Sequence, residues 1–327
     1  MSDAPLLLSS EIPSSHRIED LAVVEVGDAP QVVCADWAGT VWTWDPLRDV
    51  WSKPSLTCAF AEDPAAAAYP DAGNEIHSVA VAVFDGRLVL AAGGYEQPAA
   101  IWDLDSGELL RATTYVEPYV YSIATVKGEN PPRFAIETDV DIEVLGLPAD
   151  AAPVVLPDVG GGLAAARIDG RSLIVSVNAG VWDLAGGEQL TSLDGAGGLG
   201  ASAVAVSRID DRPIIVTGTD AGAVYVWELF GDDSDEPIRS PLTRHEGHIL
   251  ALDTAVVGDR PLAVTGGRDE TLRIWDLADG TGVGAPLVGH RGSVKAVETT
   301  TLRGRHVVLS GGEDDVIRVW DLAVLLR

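Results

Sequence analysis

One short signature recurs along this chain and constrains its fold more than any other feature: an apolar run ending in Trp-Asp. It appears as TVWTWD ending at Asp45, AAIWDL at Leu104, AGVWDL at Leu184, AVYVWEL at Leu229, LRIWDL at Leu277 and IRVWDL at Leu322, with a degraded copy, IEVLGL, at 142–147. The anchor positions Trp44, Trp102, Leu145, Trp182, Trp227, Trp275 and Trp320 are spaced by 58, 43, 37, 45, 48 and 45 residues, the mark of one repeated supersecondary unit. Unit ends therefore fall near 45, 103, 146, 183, 228, 276 and 321. The two clearest copies, LAVTGGRDETLRIWDLADG at 262–280 and VVLSGGEDDVIRVWDLA at 307–323, show short alternating strands broken by Gly and Asp turns, with no competing helical period. The 35 glycines and 19 prolines fit a turn-rich β protein, and 46% hydrophobic residues supply its core. We read residues 1–327 as a single all-β domain.

Charge narrows the functional classes. A formal charge of -28, with no basic stripe to offset it, repels phosphate backbones and anionic lipid, so neither nucleic acid nor a membrane is an expected partner. The acidity either keeps the surface soluble or attracts a cationic partner. Only Cys34 and Cys58 are present, too few for a disulfide framework or a cysteine metal site, and both are expected to be reduced. The N-terminus MSDAPLLLSS lacks a basic leader region, and no apolar run is long enough to span a bilayer. These features predict a cytoplasmic protein.

The units resemble the WD-repeat (Trp-Asp repeat) β-propeller family over nearly the whole chain. That resemblance implies a seven-bladed propeller in which each blade places three strands before its Trp-Asp pair and one after it. The last copy ends in DLAVLLR, too soon for its outer strand, and residues 3–8 (DAPLLL) match the missing piece. The ring is therefore expected to close by pairing the N-terminal strand with the last blade. The shortened units between 114 and 190 leave another blade count open.

The family pins its blades with a relay of His, Ser or Thr, Asp and Trp. His245, Thr265, Asp269 and Trp275 fit one copy, and His290, Ser310, Asp314 and Trp320 another with identical spacing. A His beside an Asp and a hydroxyl also suggests nucleophilic catalysis. Duplication at equal spacing favours an architectural role. The fifth unit keeps Thr217, Asp220 and Trp227 without a His, and the second has Ala92 at the hydroxyl position.

Positions 27 and 25 residues before each anchor point, in the family, toward the central opening on the face many partners use. They are Arg17 and Glu19, Glu75 and His77, Gly200 and Ser202, His248 and Leu250, and Ser293 and Lys295; in the third unit the local pattern YVYSI selects Tyr119 and Tyr121. Strand alternation is expected to set both members of each pair on one side. Tyrosine faces with Glu19 and Glu75 nearby suit a cationic group, which predicts a partner protein or peptide bearing Arg or Lys. The plainer reading is a hydrated channel. The insertion at 58–74 is expected near the same face, with Phe60 or Tyr69 capping the opening, and the acidic GDDSDEP at 231–237 on the opposite face.

The leading expectation is a non-catalytic interaction scaffold with no cofactor. A rival is a small-molecule-binding or metal-dependent enzyme using His77, His248, Glu19 and Glu75; no H-E-x-x-H, phosphate loop or nucleophile elbow supports it. GGG at 160–162 is a weak phosphate signal, because no convincing helix follows. A third possibility is a sensory module acting with an effector on a separate chain.

Overall fold

The computed structural model describes residues 5–26, 29–56, 76–95, 97–113, 119–148, 152–157, 162–177, 180–193, 199–230 and 236–326. They form seven four-stranded antiparallel sheets, the blades of a propeller. The inner strands are Ile18–Val26, Ile76–Phe84, Val120–Thr125, Leu163–Ile168, Ala201–Ile209, Ile249–Val257 and Val294–Leu302. Every anchor lies in a third strand, from Val41–Asp45 in the first blade to Val316–Asp321 in the seventh. The degraded unit is a full blade: Ile142–Gly146, carrying Leu145, pairs on one side with Arg133–Thr138 and on the other with Val154–Leu156. The short fourth unit is likewise complete.

Local chemistry sets these elements. Two-residue turns join first and second strands: Asp85-Gly86, Asp169-Gly170, Asp210-Asp211 and Arg303-Gly304, all with positive φ. Such turns match the twist of the flanking strands and fix their register. The Asp after the anchor tryptophan caps the next turn. Asp103 Oδ1 accepts the amides of Asp105 and Ser106 at 3.0 and 2.8 Å, and Asp276 Oδ1 those of Ala278 and Asp279, both at 3.0 Å. The other oxygen of each aspartate takes an arginine from the start of the second strand: Arg87–Asp103 at 3.1 Å, Arg171–Asp183 at 2.6 Å, Arg260–Asp276 at 2.7 Å and Arg305–Asp321 at 3.1 Å. The turn amides, ahead of the arginines, hold Asp103 and Asp183 below the ordinary carboxylate range.

The core lies between blades. Ile18 and Trp44 of the first blade pack with Val307, Leu309 and Ile317 of the seventh, and the other interfaces are built alike. The ring closes through the N-terminus, as the resemblance implies; the strand seen is Leu6–Glu11, running past 8, while residues 3 and 4 lie outside the described residues. It pairs antiparallel with Val316–Asp321, from Leu6 opposite Trp320 to Glu11 opposite Val316. The extension to Glu11 brings Ser10 to the first blade: its hydroxyl donates to Asp49 at 2.6 Å and accepts from Trp51 Nε1 at 2.9 Å. Trp44 Nε1 donates to the same Asp49 oxygen at 3.0 Å.

Candidate functional site

The two His-containing relays are intact hydrogen-bond chains. His245 sets Nδ1 3.0 Å from Asp269 Oδ1 and Nε2 2.7 Å from Thr265 Oγ1, which accepts Trp275 Nε1 at 2.9 Å. His290 does the same with Asp314 at 2.8 Å and Ser310 at 2.8 Å, and Trp320 donates to Ser310 at 2.9 Å. Both imidazoles are buried and each hydroxyl is occupied from two sides, so neither relay hydroxyl is presented to solvent as a nucleophile. In the fifth blade Trp227 Nε1 donates to Thr217 at 2.9 Å. Its Asp220 stands one residue early, and its amide bonds to the Gly200 carbonyl instead.

Register locates the hydroxyl position where residue counting does not. Thr265 lies two residues beyond Ala263, the cross-strand partner of Trp275. By the same rule Ser176, two beyond the Trp182 partner Ile174, holds that place in the fourth blade, and Cys34, two beyond Val32, holds it in the first. Burial pushes the Cys34 thiol far up, with Asp36 and Asp20 adding to the effect, so it is a small core side chain. Trp44 turns to Asp49.

At the mouth of the central channel the paired positions separate, which alternation does not foresee. The residues 27 before the anchor precede the inner strand and act through their carbonyls. Those of Arg17, Gly200, His248 and Ser293 accept the amides of Trp37, Asp220, Arg268 and Glu313, tying each entry to the second-to-third-strand turn of the same blade. The residues 25 before the anchor are bulges. The ladder skips one residue between Ile18 and Asp20, Ile76 and Ser78, Ala201 and Ala203, Ile249 and Ala251, and Val294 and Ala296, setting Glu19, His77, Ser202, Leu250 and Lys295 outside the strand register. The third blade does the same between Val120 and Ser122, at Tyr121. A bulge bends the strand and re-aims its side chain. All six bulged residues line a mouth cavity of about 590 Å³, together with Tyr119.

Arg17, His248, Gly200 and Ser293 do not line that cavity, whereas Gly162 and Leu163 supply the fourth blade's share. Glu75, Cys58, Phe60, Tyr69 and most of the 231–237 run lie outside the described residues. Glu19 is not free to orient a ligand. Arg17 Nε donates to its Oε1 at 2.5 Å, Lys295 Nζ donates to its Oε2, and the side chain is buried. The Arg17 guanidinium also stacks 5.1 Å from the exposed Trp37 ring.

The opposite side of the mouth is aromatic. Tyr119 meets Tyr95 edge-on at 4.3 Å and stacks with Tyr121 at 5.8 Å; Tyr119 and Tyr121 are 36% and 49% exposed. Asp139, exposed in the adjacent turn, accepts the Tyr119 amide at 3.4 Å. A second cavity of about 900 Å³ continues the channel, sharing Val79, Ile123, Leu163, Val204, Leu252 and Glu298 with the first. Along this axis burial pushes the Asp20 carboxyl up to about 6, against bonds from the Val79 amide, Ser78 and the Leu21 amide. Burial and then Asp253 raise Glu298, while Asp253 and Glu298 hold Lys127 protonated. Among the described residues no group of three or more His, Cys, Asp or Glu side chains is placed to hold a metal, and no helix is long and apolar enough to cross a membrane.

Seven four-stranded blades around an open axis, with the first strand zipped to the last, define a β-propeller. Residues 236–276 and 283–321 match the family described as WD domain, G-beta repeat, over the two blades that carry the full relays. The chain is a seven-bladed β-propeller in which those two segments match the WD repeat. A crystal structure of the WD40 β-propeller domain of Doa1 aligns with 98% of this chain and 98% of its own length at a TM-score of 0.69 and 15% identity, a likeness of fold. No curated protein matches the sequence.

Proposed function

We propose that this propeller is a non-catalytic scaffold that takes an Arg- or Lys-bearing segment of a partner protein at the channel mouth. Propellers of this kind generally serve protein interaction, which supports the class. The finer reading rests on one observation: the exposed Tyr119–Tyr121 pair beside Asp139 offers π faces and a carboxylate together. An exposed cation over such a face gains about 0.5–1 kcal/mol, and more as the site dries. Glu19, already neutralised, is a wall of the site and not the ligand's counter-charge. The -28 charge favours the approach of a cationic segment and disfavours nucleic acid.

The test is binding of fluorescent Arg- and Lys-containing peptides, with capture from native lysate alongside. Tyr119→Ala with Tyr121→Ala is expected to weaken binding about ten-fold or more while the thermal midpoint stays nearly unchanged. Binding unaffected by the double substitution would reject the site.

The enzyme reading would need His77, His248, Glu19 and Glu75 to converge, and Glu75 lies outside the described residues. His77 and Glu19 line the mouth, but His248 does not, and its buried Nε2 has no hydrogen-bond partner among the described residues.

A further inference from the structure

Lys127 faces two carboxylates across the channel. It follows the inner strand of the third blade, whereas Asp253 and Glu298 lie on the inner strands of the sixth and seventh, the blades farthest from it around the ring. All three line the second cavity, of about 900 Å³, and Glu298 stands where this meets the mouth cavity. Asp253 and Glu298 push the Lys127 ammonium above its ordinary value, and Lys127 draws Glu298 down against the rise that burial and Asp253 impose. Among the described residues, however, neither the Lys127 ammonium nor the Glu298 carboxylate makes a hydrogen bond or an ion pair within 4.0 Å. Asp253 engages only Oδ2, which accepts the Thr299 amide and hydroxyl, both at 2.7 Å.

The other charges lining this cavity are placed differently. Arg167 donates to the Gly128 carbonyl at 2.6 Å, Arg208 to the Asp211 carbonyl and to Asp169 at 2.7 and 2.6 Å, and Glu129 is held by Arg133 and Ser172. Glu25 is exposed. Between the charges the wall is aliphatic, with Val24, Val83, Ala124, Ala166, Ala255 and Val256. A simple cation at Glu298 would be opposed by Lys127, and a simple anion at Lys127 by Asp253 and Glu298. A molecule that carries both charges meets neither obstacle.

We propose that this cavity binds a small zwitterion, an α-amino acid with an aliphatic side chain, its carboxylate on Lys127 and its ammonium between Glu298 and Asp253. Charges withdrawn from water are stable when paired, and the ligand's ammonium is the partner that Glu298 lacks among the described residues. The volume falls in the range of small-molecule sites, about 300–1,000 Å³, and leaves the side chain free to lie against the valines and alanines. The site lies on the axis beyond the mouth and does not depend on the peptide seat proposed there.

Calorimetric titration of the full chain with L-leucine and L-valine tests this, beside isoamylamine and isocaproate, which keep the leucine chain but lack its carboxylate or its ammonium. Saturable binding of an amino acid is expected, with each analogue about ten-fold weaker or more. The analogues probe the parent chain and need no variant to fold. Lys127→Met and Glu298→Gln should each weaken leucine by a similar factor at a thermal midpoint close to the parent's. Tyr119→Ala with Tyr121→Ala should leave leucine binding as it is, which keeps this test apart from that of the mouth; a loss there would place the amino acid at the mouth and overturn the assignment. No saturable binding of either amino acid, an analogue that matches leucine, or a Lys127 or Glu298 substitution that leaves leucine unaffected likewise overturns it.

Discussion

The Ser10 hydroxyl and the Asp49 carboxylate, 39 residues apart, meet at 2.6 Å where the closing strand of the seventh blade touches the first. Ser10 also receives the Trp51 indole, and Asp49 the Trp44 indole. Two stacked tryptophans thus lean on one hydroxyl–carboxylate bond across the ring joint.

Ser10→Ala should therefore destabilise the ring by about 1–3 kcal/mol, the cost of leaving a buried polar partner unmatched. Urea unfolding of the two proteins measures it. A change under a few tenths of a kcal/mol would mean that strand pairing alone holds the joint.

The relays supply their own control. Thr265→Val strips the acceptor of Trp275 and the hydroxyl donor to His245 Nε2, whereas Thr217→Val strips only the acceptor of Trp227. The first substitution should cost more, by about 1 kcal/mol, in the same unfolding assay. Equal losses would show that the histidine contributes nothing through the hydroxyl.

Asp20 gives stability an unusual pH dependence. Its carboxyl is raised to about 6 from 3.8, so the folded state holds a proton that the unfolded chain releases. Its contribution is complete below pH about 4 and is lost as pH rises through about 6. Asp20→Asn keeps an acceptor for Ser78 and the Val79 amide. The stability of the variant relative to the parent should therefore increase between pH about 4 and about 7; a difference flat across that range would contradict the raised value.

Glu19 and the tyrosines should separate in binding. Glu19→Gln removes a carboxylate already shared by Arg17 and Lys295. Its effect on a cationic peptide should stay within about three-fold, whereas the double tyrosine substitution should weaken binding about ten-fold or more. Fluorescence anisotropy with one peptide compares them, and a larger loss from Glu19→Gln would move the cation seat to the other side of the mouth.

The anchors made the architecture legible: six tryptophans and Leu145 at near-constant spacing mark seven third strands, and the truncated last copy points to the N-terminus for its outer strand. Leu145 was readable only from its period, since it keeps the burial of the position without the indole. Other features were not visible in that way. The Arg–Asp pairs left a trace, an arginine 16 residues before the aspartate at 87, 260 and 305, but the shorter fourth blade breaks that count at Arg171. Ser176 was hidden because hairpin length, and not residue number, sets the register opposite Trp182, whose Nε1 takes no partner among the described residues. Lys295 reaches Glu19 across 276 residues, a contact only ring closure creates. No residue type announces a bulge: Glu, His, Tyr, Ser, Leu and Lys all occupy one.

That diversity has a consequence. A bulged residue sits outside the cross-strand ladder, so its side chain can be exchanged while its neighbours go on joining the strands. Six such sockets encircle a frame secured elsewhere by indoles, hydroxyls and turn aspartates. Ligand preference and durability can accordingly drift apart over evolutionary time, and a designer could retune the rim without disturbing the wheel.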